Sequence, residues 1–188
     1  MTVGGLILAA GEGRRFGATK QLAELRGRPL LEYAVDSMLS VPAVWPVIVV
    51  LGHDADAIRA GTDLGDARTV VCPAWHEGQA TSLRCGIAAL GPVDAAVIGL
   101  GDQPFITPQV IAGVLDFDDR DHDASRATYG GAPGHPVLLT RRLLDRAGEL
   151  EGDVGFRRML EGRRVKRFEA GHLCDPTDID TREELARR

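Results

Sequence analysis

Cysteine, aromatic residues and excess positive charge are all scarce in this 188-residue chain. Its three cysteines, Cys72, Cys85 and Cys174, are odd in number and widely spaced, with no Cys-x-x-Cys pair, which excludes a disulfide framework and a zinc motif and leaves buried thiols as the expectation. Aromatic residues make up 5% of the chain, but hydrophobic residues at 44% and charged ones at 26% are ordinary globular values that exclude disorder. Lys and Arg number 22 against 27 Asp and Glu, a net charge of −5. No whole-molecule basic field exists to hold nucleic acid or an anionic membrane, so any phosphate must be gripped locally. No apolar run approaches the ~20 residues of a membrane span, and Met1 leads within two residues into an apolar segment with no basic leader, so a cytoplasmic protein is expected. Repeats, linkers and low-complexity tracts are also missing.

What is present is an alternation of short apolar runs with amphipathic segments, the pattern of strands buried on both faces and covered by helices. Strands are expected over 3–8, 47–51, 69–72 and 95–100. Helices are expected over 30–39, over 54–60 behind an acidic cap, over 81–90 capped by Thr81 or Ser82, and over 108–115 with Thr107 as cap and Pro108 in its first turn. Beyond Asp116 the rhythm loosens. Strands are expected over 124–128, 137–139 and 165–168, and helices over 141–147, over 154–160 and after Thr181. The acidic stretch DFDDRDHD lacks the glycine and distal glutamate of a calcium loop and reads as a solvated turn. The fold class is therefore α/β: a Rossmann-like, doubly wound, mostly parallel sheet flanked by helices, in a single domain over 1–188.

The first apolar run stops in LILAAGEGRRFGATKQL, residues 6–22. A strand ending in Gly11, Gly13 and Gly17 leaves backbone N–H groups uncovered, a concave row of donors suited to phosphate oxygens or a base edge. The dinucleotide fingerprint G-x-G-x-x-G fails by one residue, because the spacing is Gly11-x-Gly13-x-x-x-Gly17. The phosphate loop G-x-x-x-x-G-K-[ST] fails because Ala18 and Thr19 separate Gly17 from Lys20. Arg14, Arg15 and Lys20 lie within seven residues beside this turn, which implies an anion larger than one phosphate; a nucleoside triphosphate fits.

This loop resembles the signature L-A-A-G-x-[GS]-x-R-[MF]-G-x-x-K of nucleotidyltransferases with a MobA-like NTP transferase fold. Leu8, Ala9, Ala10, Gly11, Gly13, Arg15, Phe16, Gly17 and Lys20 match every fixed position. The similarity continues through EGQATSLRCGI (77–87), GDQPFITP (101–108), GGAPGHPVLL (130–139), EGDVGFRRML (151–160) and DPTDIDTREEL (175–185), so it spans essentially the whole chain. By pattern the molybdenum cofactor cytidylyltransferases are nearest. The resemblance implies a nucleotide-diphospho-sugar transferase type of sheet, with a nucleotide-binding half over about 1–115 and an acceptor-binding half over about 116–188.

Asp102 follows the fourth expected strand, where a parallel sheet presents its carboxyl-end crevice to ligands. It is a candidate Mg²⁺ ligand, since magnesium is content with one or two carboxylates plus phosphate oxygens and water. The resemblance makes Asp102 the main metal ligand and Asp180 the second, with Asp178 two positions away also open. It also implies nucleotide contacts from Leu8, Ala9, Ala10, Gly11, Gly13, Arg14, Arg15, Lys20, Gly78, Ser82 and Gly101, with the base read by backbone groups of Ala9 to Gly11 and the region of Gly78 to Ser82. By the same resemblance Arg15, Lys20 and Asp102 are expected to carry the catalysis. In that family an A-A-G loop goes with cytidylyl transfer and a G-G variant with guanylyl transfer, so Ala9-Ala10-Gly11 favours CTP; GTP and ATP stay open.

On the acceptor side, His135 in Gly134-His135-Pro136 is expected in a tight turn, and Asp153 and Arg157 around a helix start, a set suited to a pterin with a phosphate tail. Each has a structural use too: His135 as a brace of its turn, Asp153 as a helix cap, Arg157 as surface. His53, His76, His122 and His172 share no metal spacing. The expected reaction is attack of an acceptor phosphate on the nucleotide α-phosphorus with release of pyrophosphate, the acceptor being molybdopterin or its molybdenum-loaded form and a molybdoenzyme the protein to which product would pass. A sugar phosphate or other phosphorylated metabolite is the alternative acceptor, and a cofactor-binding chaperone the alternative of a different class.

Overall fold

The computed structural model describes residues 1–118, 120–150, 152 and 155–188. In chain order the elements are β1 (Val3–Ala9), β2 (Glu24–Leu25), β3 (Arg28–Pro29), α1 (Leu30–Leu39), β4 (Val44–Leu51), α2 (Ala55–Gly61), β5 (Arg68–Val71), α3 (Gln79–Leu90), β6 (Ala95–Leu100), α4 (Pro108–Leu115), β7 (Ala124–Tyr129), β8 (Ala132–Thr140), α5 (Arg141–Leu144), α6 (Gly155–Leu160), β9 (Val165–Glu169) and α7 (Arg182–Ala186). Seven strands form one sheet in the order β5-β4-β1-β6-β8-β7-β9. β5, β4, β1 and β6 are parallel, and β8 runs antiparallel to both β6 and β7. β9 joins β7 in parallel at the far edge.

Two apolar layers hold the helices to the sheet, as in any doubly wound fold. Leu31, Ala34, Val35 and Met38 of α1, Ile58 of α2 and Val110, Ile111 and Val114 of α4 bury one face. The other face is covered by Ala80, Leu83 and Leu90 of α3, Leu143 and Leu144 of α5, and Met159 and Leu160 of α6. The spacing of Leu30, Leu31, Ala34, Val35 and Met38 is one helical stripe, and Arg28 bridges Glu32 and Asp36 on the flank of α1 at 3.2 and 2.7 Å. None of the described helices is long and apolar enough to cross a membrane.

Four expectations need correction. α3 begins two residues early, at a turn where Gly78 has φ +117°, so neither Thr81 nor Ser82 caps it. Thr81 instead accepts a hydrogen bond from Arg84 at 2.9 Å, and Ser82 is buried. At α2, Asp54 occupies the cap position but its side chain makes no cap bond; its carboxylate takes the Thr19 hydroxyl of the glycine loop. The turn near His135 lies earlier than expected. Gly130 and Gly131, with φ of +59° and +80°, close a two-residue hairpin in which Tyr129 faces Ala132, and His135 lies within β8 before a cis bond to Pro136. Two successive positive φ values are what such a hairpin requires, and only the glycine pair supplies them freely. Finally, the helix expected over 141–147 stops at Leu144, and a separate turn covers Ala147–Glu149.

The cysteines are free, but only Cys72 is fully buried. Despite their spacing, Cys72, just after β5, and Cys85, on α3, lie side by side with sulfurs 2.7 Å apart, and burial together with Cys85 pushes the Cys72 thiol up to about 11.

Candidate active site

Chain order places the crevice. From β1 the chain winds outward to β4 and β5, then crosses back through α3 to β6 on the opposite side of β1. The loops leaving β1 and β6 therefore lie side by side at the carboxyl ends of these parallel strands, the edge where ligands of open α/β sheets bind. The glycine loop occupies one side and Asp102 the other. Gly101 carries the β6 end tightly along β1, its N–H bonding the Leu8 carbonyl at 3.0 Å.

A third segment completes the site from far along the chain. Residues 178–180 run Asp-Ile-Asp, and Ile179, fully buried, packs with Phe16, Leu25 and Leu30 beneath the glycine loop while its N–H bonds the Asp102 carbonyl at 3.0 Å. With Ile179 turned into the core, its two neighbours reach different partners. Asp180 and Asp102 both take the Lys20 ammonium, at 2.8 and 2.7 Å. Asp178 instead accepts from the buried Gln103 side chain at 2.7 Å. Burial opposes the charge on Lys20, but the two carboxylates outweigh it and raise its pKa. Asp180 is pushed up by burial and further down by Lys20 and Arg15, so its pKa is lowered overall. Asp178 is raised, first by burial and then by the charge of Asp102.

Arg15 also pairs with Asp180, from the exposed side, while Arg14 is turned to Glu12 on the loop surface at 2.6 Å. The loop itself is a tight turn in which Phe16 and Gly17 both donate to the Gly13 carbonyl at 2.9 and 3.1 Å. Gly13 has φ +67°, and a Cβ there would lie 2.8 Å from the Ala18 carbonyl oxygen, so only glycine fits without strain. Gly52, after β4, is equally constrained: a Cβ would meet the Ala10 oxygen and the Trp75 side chain at 2.6 Å. That contact brings Trp75 over the loop.

Between the glycine loop and residues 75–82 lies a cleft of about 440 Å³, floored by Leu8 and Leu100, with Ala10, Gly11, Gly78 and Ser82 on its walls and Asp102 at one end. A smaller hollow of about 90 Å³ adjoins it through Leu8, Gly11 and Asp102 and is lined by Ala9, Gly13, Lys20, Gln21 and Gly101. The carbonyls of Ala9 and Gly11 accept from the Gln21 side chain, and that of Ala10 accepts from the His53 N–H at 3.1 Å. All three already accept a hydrogen bond inside the protein, which leaves N–H donors as the unpartnered groups of this stretch. Among the described residues, the N–H groups of Gly11, Glu12 and Gly13 donate to no protein oxygen.

Asp102 Oδ1 is buried with no hydrogen-bond partner among the described residues, while Oδ2 holds Lys20. An orphaned carboxylate oxygen on a residue that lines a phosphate-sized hollow fits a divalent cation. The described residues contain no cluster of three or more His, Cys, Asp or Glu side chains placed around one ion, so a cation here would draw its remaining ligands from phosphate and water.

Of the expected acceptor residues, His135 is partly buried on β8, and burial together with the charge of Arg126 pushes its imidazole down to about 4. Asp153 lies outside the described residues; Arg157 falls within α6, and its side chain is not among those described. Sequence reasoning missed Gln21 and Gln103. Each directly follows a charged site residue, Lys20 or Asp102, and that adjacency was the available signal.

A crevice with cations and free N–H groups on one wall and carboxylates on the other is the geometry of a nucleotidyltransferase. The chain belongs to the family of the MobA-like NTP transferase domain, whose model matches residues 5–169. It is 32% identical over 196 residues to nicotine blue oxidoreductase of Paenarthrobacter nicotinovorans, covering 98% of this chain and 95% of that protein. It is also 32% identical to the bifunctional protein GlmU of Sorangium cellulosum, of which the match spans only 33%. Among solved structures, Rv0371c of Mycobacterium tuberculosis superposes with a TM-score of 0.88 at 29% identity, covering 100% of this chain and 96% of that one. A manganese complex of Rv0371c superposes at 0.82 with 27% identity, again over 100% of this chain and 97% of that one.

Proposed function

We propose that this protein transfers CMP from CTP to a phosphorylated acceptor, releasing pyrophosphate, that the acceptor is molybdopterin or its molybdenum-loaded form, and that the product passes to a molybdoenzyme. The observation that carries the reading is the Lys20 ammonium, on the wall of the smaller hollow, held between Asp180 and Asp102, the latter lining both hollows. The larger hollow suits a nucleoside, with the base against Ala9 to Gly11 and Gly78 to Ser82. The smaller one suits phosphates, which the Gly11 to Gly13 N–H groups, Arg15 and Lys20 would bind. Lys20 follows charge onto the departing pyrophosphate as a mobile point charge, and Arg15 offers a planar fork to two oxygens.

Asp102 and Asp180 would hold Mg²⁺, with Asp178 kept apart by Gln103. When bound, the ion supplies charge neutralisation at the phosphates. No general base is required, because a phosphomonoester with a second pKa of about 6 is already ionised at neutral pH. His135, Asp153 and Arg157 are the residues proposed to bind the acceptor.

Purified protein with CTP, Mg²⁺ and molybdopterin should release pyrophosphate, and Asp102→Ala should not. Equal release by the two would overturn the reading, and release with a sugar phosphate in place of molybdopterin would change the acceptor. The likeness to nicotine blue oxidoreductase supports a second reading, an oxidoreductase acting on a dye such as nicotine blue. Against it stands the glycine spacing, which departs from the dinucleotide fingerprint. Consumption of NADH or NADPH with such a dye, unaffected by Asp102→Ala, would favour it.

A further inference from the structure

We propose that Gln21 is a positioning residue that locks the peptide orientations of the β1 loop, so that the loop shows the nucleotide N–H groups and no carbonyl oxygen; this rests on the nucleotidyltransferase reading of the site. Gln21 is buried, 6% exposed, in the turn Lys20–Leu22. That turn sends Lys20 to the two carboxylates and Gln21 beneath the loop. The Gln21 side-chain nitrogen donates to the carbonyl of Ala9 at 2.7 Å and to that of Gly11 at 3.0 Å.

A trans peptide unit is planar, with C=O and N–H pointing in opposite directions. Pinning the Ala9 and Gly11 carbonyls therefore aims the N–H groups of Ala10 and Glu12 the other way. The His53 bond to the Ala10 carbonyl does the same for the Gly11 N–H. Ala10 and Glu12 line the larger cleft, and Gly11 lines both it and the smaller hollow assigned to the phosphates. The lock is needed because glycine at position 11 tolerates either orientation of its peptide, and space around Gly11 is open, with nothing within 4 Å of a built Cβ. A flipped Gly11–Glu12 peptide would turn an oxygen toward phosphate oxygens. Only a neutral group with two hydrogens on one nitrogen can serve two carbonyls without adding charge beside Lys20, and the Gln carboxamide is such a group.

The loop holds phosphates throughout the reaction, so losing the lock removes binding common to ground and transition states. The signature is a raised KM with kcat preserved. Gln21→Met, near in shape but without donors, and Gln21→Glu, which puts an acceptor against two acceptors, are compared with wild type by calorimetric titration of magnesium pyrophosphate and by CTP kinetics. Both variants should bind pyrophosphate at least tenfold more weakly, equivalent to about 1.4 kcal/mol, and raise KM for CTP by a similar factor while kcat changes less than threefold. Gln21→Asn keeps the amide but is one methylene too short to span both carbonyls, and it should show the same pattern if Gln21→Met is poorly folded. Unchanged pyrophosphate affinity in these variants, or a fall in kcat at constant KM, overturns the proposal while leaving the function standing. A wild-type protein that binds neither CTP nor pyrophosphate overturns the function itself, and this role for Gln21 with it.

Discussion

Replacing Lys20 by Met tests whether the site is held together by one ammonium between two carboxylates. The Lys20 side chain is 13% exposed, and Asp102 and Asp180 are 26% and 24% exposed, so the cluster is desolvated enough for its hydrogen bonds to count. Each charge-assisted bond contributes about 1.5–3 kcal/mol. Burying the ammonium costs part of that sum, and Met recovers some packing along the lysine stem. A net loss of about 2 kcal/mol at neutral pH follows, to which repulsion between the two unpaired carboxylates contributes. For a chain of this length that is a fall in Tm of about 4–8 °C. Arg15 provides the internal comparison. It also pairs with Asp180, but its side chain is 74% exposed, so Arg15→Ala should cost no more than about 0.5 kcal/mol. Urea denaturation in the presence of EDTA measures both. Adding Asp180→Asn to Lys20→Met removes one of the two repelling charges, so the double variant should be less destabilised than the sum of the singles by about 1 kcal/mol. Strict additivity, or a Lys20→Met cost as small as that of Arg15→Ala, would refute the reasoning.

Gly13→Ala should destabilise by about 2 kcal/mol, combining a left-handed φ with a Cβ 2.8 Å from a carbonyl oxygen, whereas Gly17→Ala, with φ +72° and open space, should cost only about 1 kcal/mol; paired melting curves and CTP titrations check both. Ile179→Ala should lose about 3 kcal/mol in urea denaturation, because this fully buried side chain anchors the segment carrying Asp180, and nucleotide binding should weaken with it. Glu169 is held at about 2 by the N–H groups of Gly130 and Gly131, the Thr128 hydroxyl and the Gly171 N–H. Its folded pKa lies below the unfolded value of about 4.3, so its contribution is complete above that value and is lost as pH falls toward 2. Stability of Glu169→Gln measured against pH should therefore lie below wild type at neutral pH and converge with it near pH 2; a constant gap would refute this.

Much of the architecture was legible because each element announces itself locally. The stretches 30–39, 95–100 and 108–115 coincide with α1, β6 and α4 as observed, and the other strands and helices expected in the first 115 residues differ only at their ends, but the short β2–β3 pair was not expected. Asp102 could be placed at the carboxyl edge of a strand because the strand and the residue after it are contiguous. The loop from Gly11 to Lys20 could be read as anion-binding because its glycines and cations are neighbours in the chain.

What could not be read depended on groups brought together from afar. Lys20 and Asp180 are 160 positions apart, and nothing local distinguishes Asp180 from Asp178; burial of the intervening Ile179 sends one to Lys20 and the other to Gln103. Gln21 looked like one more polar residue, yet its role depends on which carbonyls lie over it. Cys72 and Cys85 became neighbours only when α3 packed against the end of β5. Residue order thus determined the elements, their sequence and the charge carried by each loop, since those follow from patterns over a few positions. The partners of each charge and each buried amide were decided by packing, because an electrostatic contact or a hydrogen bond acts over a few ångströms of space regardless of distance along the chain.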